Sequence, residues 1–447
     1  MSEGRETFVA RLDQVPLNSF HWRLLVISGL GWLFDAMDVI LISFVVGPIG
    51  REFSLEPSQR GLVVSAGFVG MFLGAAVSGR LADRYGRRAV FQVTLVLFSI
   101  GAVLSALAPT YETLLLARVV AGLGLGGELP VVSTLVSEFS PRASRGRMIV
   151  LLESFWAYGT IAAGLIAIFV IPQFGWRGAF LVGALPALYV AYLRTALPES
   201  PRYLAERGRT AEADAVVRRV ERAGGGALLT LAPAIAPPRT AATGVTELWR
   251  PAYARRTAML WILWFTIVLT YYGMFSWIPS LLVARGLSES TSNTYFFIST
   301  IAQIPGYFSA AWLVERWGRR PTLALYLLGT GVSAVLFGNA GSGSDVILYA
   351  ALLSFFNLGA WGVLYTITPE QYPTVVRATG SGAAAAVGRL GGIIGPFLTP
   401  VLVPAIGQPA VFALFMAVLV IAAVDVLVLA EETRGRSLEE IAGQAAA

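Results

Sequence analysis

The sequence predicts an all-α membrane protein, with twelve transmembrane helices arranged as two pseudo-symmetric six-helix bundles. Three observations predict this. Runs of roughly 20 apolar residues, enough to cross ~30 Å of hydrocarbon, recur along the chain. That chain is 56% hydrophobic and only 13% charged, outside the soluble globular range. Second, Leu81-Ala82-Asp83-Arg84-Tyr85-Gly86-Arg87-Arg88 returns as Leu313-Val314-Glu315-Arg316-Trp317-Gly318-Arg319-Arg320. Glu138-x-x-Pro141-x-x-x-Arg145 likewise returns as Glu370-x-x-Pro373-x-x-x-Arg377, and 315 − 83 and 370 − 138 both give 232. One offset shared by separate motifs marks a duplicated unit. Third, the 33 basic residues, all Arg, collect in alternate loops.

The apolar runs place spans at 22–49, 61–81, 89–109, 113–137, 147–171 and 178–196, then at 257–283, 293–313, 321–340, 346–367, 379–403 and 409–430. The first is too long and too acidic for a cleavable signal. Arg51, Arg60, Arg177 and Arg285 fall in one set of loops, and Arg118 and Arg389 lie within spans. The other 27 (33 − 4 − 2) sit near the termini and in the remaining loops. The positive-inside rule then predicts cytoplasmic termini. The pI of 9.7 is thus a topology signal, and no nucleic-acid partner is expected.

The predicted organisation is an N-terminal bundle over 1–196, a cytoplasmic connector over 197–256, and a C-terminal bundle with its tail over 257–447. From Pro201 to Arg222 the connector sets Leu204, Ala211, Val216, Val217 and Val220 among Arg and Glu, an amphipathic helix for the cytoplasmic face. Gly224-Gly225-Gly226 then opens a Pro/Ala-rich flexible tether that runs to Gly244. Gly70-x-x-x-Gly74, Gly122-x-x-x-Gly126 and Gly391-x-x-x-Gly395 mark close helix approach.

Composition also excludes chemistry. Cys is absent and His21, expected at the surface where span 1 begins, is the one histidine. Thiol and Ser–His catalysis and Cys/His metal sites are therefore out. Without Lys there is no Walker-type loop to bind ATP. Neither enzymatic activity, nor a cofactor, nor a metal is expected, and the Ala- and Arg-rich usage points to a bacterial source.

Ionisable residues inside spans cost about 2.5–3.5 kcal/mol each on insertion scales, so each needs a reason. Asp35 and Asp38 lie mid-span, three apart on one helix face. Two such carboxylates resist ionising together in a low dielectric, which suits proton coupling. The alternative is a structural hydrogen bond to a neighbouring helix. Glu153 and Glu128 are further proton-site candidates. Arg389 stands in Gly388-Arg389-Leu390-Gly391-Gly392-x-x-Gly395-Pro396, where an interrupted helix can free backbone groups beside a cavity. Its guanidinium fork suits a carboxylate. It either binds one on a substrate or pairs permanently with Glu153 or Asp35.

Subtracting 232 carries Arg389 to Ala157, one turn from Glu153, and adding 232 sets Asp35 and Asp38 level with Ile267 and Thr270. Trp264, Tyr271, Tyr272 and Phe275 share that depth. With Trp156, Tyr158, Trp361 and Tyr365 they offer aromatic walls for a flat ring that bears a carboxylate. Tyr365 and Trp277 have a second reading as interfacial anchors. Asn357 is a hydrogen-bonding candidate. Arg118 and Glu128 share span 4 ten residues apart, ~15 Å of helix, so they meet only across a kink at Pro130 or through another helix.

The motifs resemble the major facilitator superfamily over nearly the whole chain. Gly79-Arg80-Leu81-Ala82-Asp83-Arg84-Tyr85-Gly86-Arg87-Arg88 is similar to its signature between spans 2 and 3. Arg118-x-x-x-Gly122-x-Gly124-x-Gly126, Glu138-Phe139-Ser140-Pro141, Pro198-Glu199-Ser200-Pro201-Arg202 and Glu432-Thr433-Arg434-Gly435-x-x-Leu438-Glu439-Glu440 resemble the sugar-porter branch. The resemblance implies a conformational latch on the cytoplasmic side: Asp83, Arg87, Arg88, Glu138 and Arg145 in one half, Glu315, Arg319, Glu370 and Arg377 in the other. It makes Arg118 a conformational residue near the cavity. The bland alternative is that these charges anchor loops.

Sugar fits poorly. Before Tyr271-Tyr272, where sugar porters carry Gln, Ser and Asn, this chain has Trp261, Ile262, Trp264, Phe265 and Ile267, and Glu153 replaces the usual span-5 Gln. A site without those amides leaves sugar hydroxyls unpaired. Gly31-Trp32-Leu33-Phe34-Asp35-Ala36-Met37-Asp38 and Gly127-x-x-Pro130-Val131-Val132 resemble bacterial niacin permeases. Aromatic-acid:proton symporters, vertebrate synaptic-vesicle glycoprotein 2 and organic-ion transporters are related groups.

What this implies is a monomeric, proton-coupled importer of a small aromatic carboxylate such as nicotinate in the bacterial inner membrane, working by alternating access. A sugar:proton symporter, an organic-cation or drug carrier, an exporter, and a non-transporting receptor are the alternatives.

Overall fold

The computed structural model describes residues 8, 11–141, 144–225, 244–341, 343–373 and 376–434. Twelve helices in it are long and apolar enough to cross a membrane. They are span 1 Ser19–Glu52, span 2 Pro57–Tyr85, span 3 Arg87–Leu107, span 4 Tyr111–Phe139, span 5 Arg147–Phe169 and span 6 Ile171–Leu193. Span 7 Pro251–Ala284, span 8 Glu289–Trp317, span 9 Arg319–Gly338, span 10 Gly343–Glu370, span 11 Thr379–Ile406 and span 12 Gln408–Leu429 complete the set. No strand occurs among the described residues.

The duplication is legible in the helix starts. For spans 7 to 10 against spans 1 to 4, 251 − 19, 289 − 57, 319 − 87 and 343 − 111 all give 232. Packing keeps the same register into the fifth pair. A Cβ at Gly159 would collide with the Leu33 carbonyl of span 1, and one at Gly391 with the Phe265 carbonyl of span 7. Both pairs are again 232 apart. The register reaches the last pair as well: Gly175 at φ 64° breaks the chain before Trp176 and Gly407 at φ 81° before Gln408, and 407 − 175 is again 232. The preceding part of span 11 contains Pro396, Pro400 and Pro404. The carbonyl of Pro396 accepts the Trp277 indole N–H at 3.0 Å. Trp277 is buried, so it is a cap for an interrupted helix and not an interfacial anchor.

By contact the chain falls into two compact units, one of Met1–Val39, Val69–Ala163 and Trp176–Arg239, the other of Ile40–Phe68, Gly164–Gly175 and Thr240–Ala447. In the first, glycines let helices touch backbone to backbone: Cβ atoms at Gly70 and Gly74 of span 2 would strike the Val119 and Leu123 carbonyls of span 4. The connector supplies two helices here, Pro201–Glu206 and Thr210–Ala223. Ala213, Val217 and Val220 turn inward against Phe8, Leu12 and Val15. Arg11 ties the two segments together, reaching Asp214 at 2.5 Å and Glu221 at 2.7 Å. Arg145 reaches Asp13 at 3.1 Å. His21, expected at the surface, is fully buried, its Nε2 3.1 Å from the Phe139 carbonyl and its Nδ1 3.0 Å from Asn18. Most of the Pro/Ala-rich tether, 226–243, and the tail motif from Gly435 through Glu440 lie outside the described residues.

In the second unit the far ends of spans 1, 2 and 5 pack among spans 7, 8 and 11. Phe68 lies 4.3 Å from Tyr272 between ring centres, and Phe44 lies 5.1 Å from Phe296. Ser65 donates to the Ile393 carbonyl at 2.7 Å, and Arg51 pairs with Glu289.

Candidate functional site

In the first unit, span 1 carries a run of polar groups on the face it turns to span 4. The helices run antiparallel there, so span 4 ascends in number as span 1 descends. Arg118 meets Asp38 through both guanidinium nitrogens, at 2.7 and 3.2 Å, with Asp38 wholly and Arg118 almost wholly buried. The guanidinium also lies 5.2 Å from the Phe180 ring centre. Two parallel charge-assisted bonds hold both groups in one geometry. About three turns along span 4, Glu128 faces Gly31 so closely that a Cβ there would strike Oε1. Its neighbouring carboxyl is Asp35, one turn further along span 1. Two carboxyls buried side by side resist ionising together.

The span-1 acids thus take different partners. Asp38 is an ion-paired carboxylate, while Asp35 belongs to a carboxyl pair with Glu128; Arg118 and Glu128 do not pair with one another. Glu153 is also buried. Trp156 packs against Trp32 at 5.2 Å between ring centres, and the Trp32 indole nitrogen is buried without a hydrogen-bond partner.

In the second unit, aromatic residues of spans 7 and 10 form one connected cluster. Trp264 stands edge-on to Trp361 at 6.0 Å and to Tyr365 at 5.5 Å. Tyr271 stands edge-on to Trp361 at 5.8 Å and to Tyr272 at 4.8 Å, and stacks on Phe275 at 4.7 Å. Trp264 is fixed by its N–H to Thr368 Oγ1 at 2.9 Å. The Trp361 indole nitrogen and Asn357 Oδ1 are buried with no partner, as are both polar atoms of Gln303 on span 8. Gln303, an amide lost among apolar neighbours in the sequence, is the residue that sequence reasoning passed over. Arg389 is half-buried on span 11, and its neighbour Gly388 lies against Trp264.

The charged motifs build matching networks, one in each unit. Arg87 reaches Asp83 at 2.9 Å and Glu138 at 3.5 Å; Arg319 reaches Glu315 at 3.7 Å and Glu370 at 2.9 Å. Each pair joins residues of a single unit. Arg377 donates to the Pro369 and Tyr372 carbonyls. One further acid closes each network. Glu199 accepts from the backbone N–H of Arg87, Arg88 and Ser200, and Glu432 from those of Arg319, Arg320 and Arg434. They cap the positive N-termini of spans 3 and 9. Gly86 and Gly318 precede those helices at φ 102° and 99°, and a Cβ on either would strike the capping carboxylate. Ser200 and Thr433 donate to Glu138 and Glu370. Burial pushes the Glu199 carboxyl above its ordinary range, against the pull of the backbone donors. The signal was present in the sequence as Glu199-Ser200 and Glu432-Thr433, at an offset of 233 instead of 232.

The family described as sugar (and other) transporter matches residues 37–444. The niacin transporter NiaP of Acinetobacter baylyi is 48% identical over 97% of this chain and 99% of its own length. The putative niacin/nicotinamide transporter NiaP of Bacillus subtilis is 47% identical over 93% of this chain and 98% of its own. Among solved structures, the xylose transporter XylE of E. coli, in a partially occluded inward-open conformation, superposes with a TM-score of 0.76 at 19% identity. It covers 94% of this chain and 100% of its own, and the likeness is one of fold.

Proposed function

The chain belongs to the sugar (and other) transporter family of membrane transporters, and from that premise we propose that it takes up nicotinate, or a closely similar aromatic carboxylate, together with protons. The near-full-length likeness to two proteins named for niacin carries the substrate. The loss of the sugar-binding amides on span 7 supports it, since Trp264 and Ile267 there are buried apolar walls.

In this reading Asp35 and Glu128 carry the proton, because two neighbouring carboxyls that are both buried do not readily ionise together. Asp38 spends its charge on Arg118, which turns proton binding next door into helix movement; Glu153 is a second acceptor. Arg389 takes the substrate carboxylate, and Trp264, Tyr271, Tyr272 and Trp361 flank the ring. The unpaired Trp361 N–H suits a pyridine nitrogen, and Asn357 a second polar contact. The networks around Arg87 and Arg319, with Asp83, Arg88, Glu138, Arg145, Glu315, Glu370 and Arg377, hold one conformation and yield in the other. The protein works as a monomer in the bacterial inner membrane with both termini cytoplasmic. An organic-cation cage is disfavoured, because Asp38 already faces a guanidinium.

The test is uptake of labelled nicotinate into proteoliposomes with an alkaline interior. Accumulation that Arg389→Ala abolishes, and that Glu128→Gln frees from the pH gradient, is expected. Accumulation of xylose or quaternary amines in its place would sink the assignment.

A further inference from the structure

Span 2 belongs to the second unit only up to Phe68, and over those turns it lies along span 11 in a closed seam. Three contacts about one turn apart define it. A Cβ on Gly61 would press on Phe397 Cα at 3.0 Å, Ser65 donates to the Ile393 carbonyl at 2.7 Å, and a Cβ on Gly392 would strike the Phe68 ring at 2.9 Å. Numbers rise along span 2 as they fall along span 11, so the helices run antiparallel and the seam is shut from Gly61 to Phe68.

Phe68 stands where the seam meets the transport site. It is 3% exposed, and its ring centre lies 4.3 Å from that of Tyr272. Tyr272 touches Tyr271, which touches Trp361, so Phe68 brings span 2 into the aromatic cluster. Its seat, Gly392, lies three residues beyond Arg389, one turn along the same face of span 11. The ring fits there because residue 392 has no Cβ. A phenyl group at this place offers a flat ring edge-on or offset contact. It also keeps water from a guanidinium–carboxylate bond, which strengthens as its surroundings dry. None of the transport roles given above falls on Phe68.

We propose that Phe68 is a positioning residue of the substrate site, a lid that closes it at the end where span 2 begins; this rests on the nicotinate reading above. With the seam shut, Phe68 covers one side of a ligand held by Arg389 and Tyr272. Parting the seam withdraws the ring with span 2 and opens the site to that end. A ligand against Tyr272 favours the shut seam, because only there does Phe68 complete its surroundings.

The chain has no cysteine, so Ser65→Cys sets a single thiol inside the seam, where residue 65 is buried. The purified full-length protein in detergent is labelled with a polar maleimide, with and without nicotinate, and nicotinate affinity is read by calorimetry. Nicotinate should slow labelling about tenfold, as a ligand with that preference for the shut seam would. Phe68→Ala should speed labelling without ligand, remove the protection, and weaken nicotinate binding at least about tenfold, well within what deleting a buried ring costs. Gly392→Val keeps the ring but takes its seat, and should shift all three readouts the same way. A variant that only loosens the fold would label faster yet keep the protection; that outcome overturns the lid, as would labelling no faster than in the parent. Should nicotinate neither bind nor protect the parent while Phe68→Ala still speeds labelling, the lid stands and the nicotinate reading falls.

Discussion

Replacing Asp38 by Asn tests the buried ion pair directly. The native contact joins a carboxylate that is 0% exposed to a guanidinium that is 3% exposed, through bonds of 2.7 and 3.2 Å. At an effective dielectric constant near 20, unit charges ~4 Å apart attract by about 4 kcal/mol. The variant keeps one acceptor oxygen but turns an amide N–H₂ towards a second donor, and it leaves Arg118 charged and unpaired. Removing one partner of such a pair costs about 3–5 kcal/mol, whereas exchanging both for apolar residues is often neutral. Asp38→Asn and Arg118→Met should therefore each lower thermal stability in detergent by several degrees, followed by tryptophan fluorescence. Asp38→Leu combined with Arg118→Met should recover most of the loss, giving a coupling energy of about 2 kcal/mol or more. Single variants as stable as wild type, or losses that simply add, would refute the pairing as the reason these charges tolerate burial.

Two further outcomes follow from the networks near the termini. Glu199→Ala and Glu432→Ala should speed hydrogen exchange in the first turns of spans 3 and 9, by uncapping Arg87–Arg88 and Arg319–Arg320; unchanged exchange would count against the capping. Arg11 holds the Asp214 carboxyl below the usual range, chiefly through their hydrogen bond. A depressed carboxyl stabilises the fold above its unfolded value, near 3.9, and that contribution drains away as pH falls through the lower folded value. The Thr210–Ala223 helix should thus stay docked at pH 5 to 7 and loosen below about pH 4, as exchange corrected for intrinsic rate would reveal. Arg11→Gln should loosen it across the whole range.

What the sequence carries well is depth, and what it carries poorly is azimuth. The 232-residue offset sets the starts of spans 7 to 10 and the Gly159 and Gly391 contacts, because all of these are positions along an axis. The partner of Asp38 is not of that kind. Arg118 lies 80 residues away, and the rotation of span 4 about its own axis decides whether Arg118 and Glu128 face span 1 at all. Periodicity cannot fix that rotation when a helix is apolar on every side, as span 4 nearly is. The same limit misplaced His21: polarity at a helix start reads as surface, yet a docked N-terminal segment and the Phe139 carbonyl bury it. Glu199 and Glu432 escaped for a third reason. The last span of each half ends at Ala196 and at Leu429, already 233 apart, so one residue more within that helix takes the two acids off the 232 register although they fill one role in both halves. A step of one residue inside a helix is thus enough to hide a shared cap from a fixed offset, because a kinked helix can absorb it without moving the ends of its neighbours.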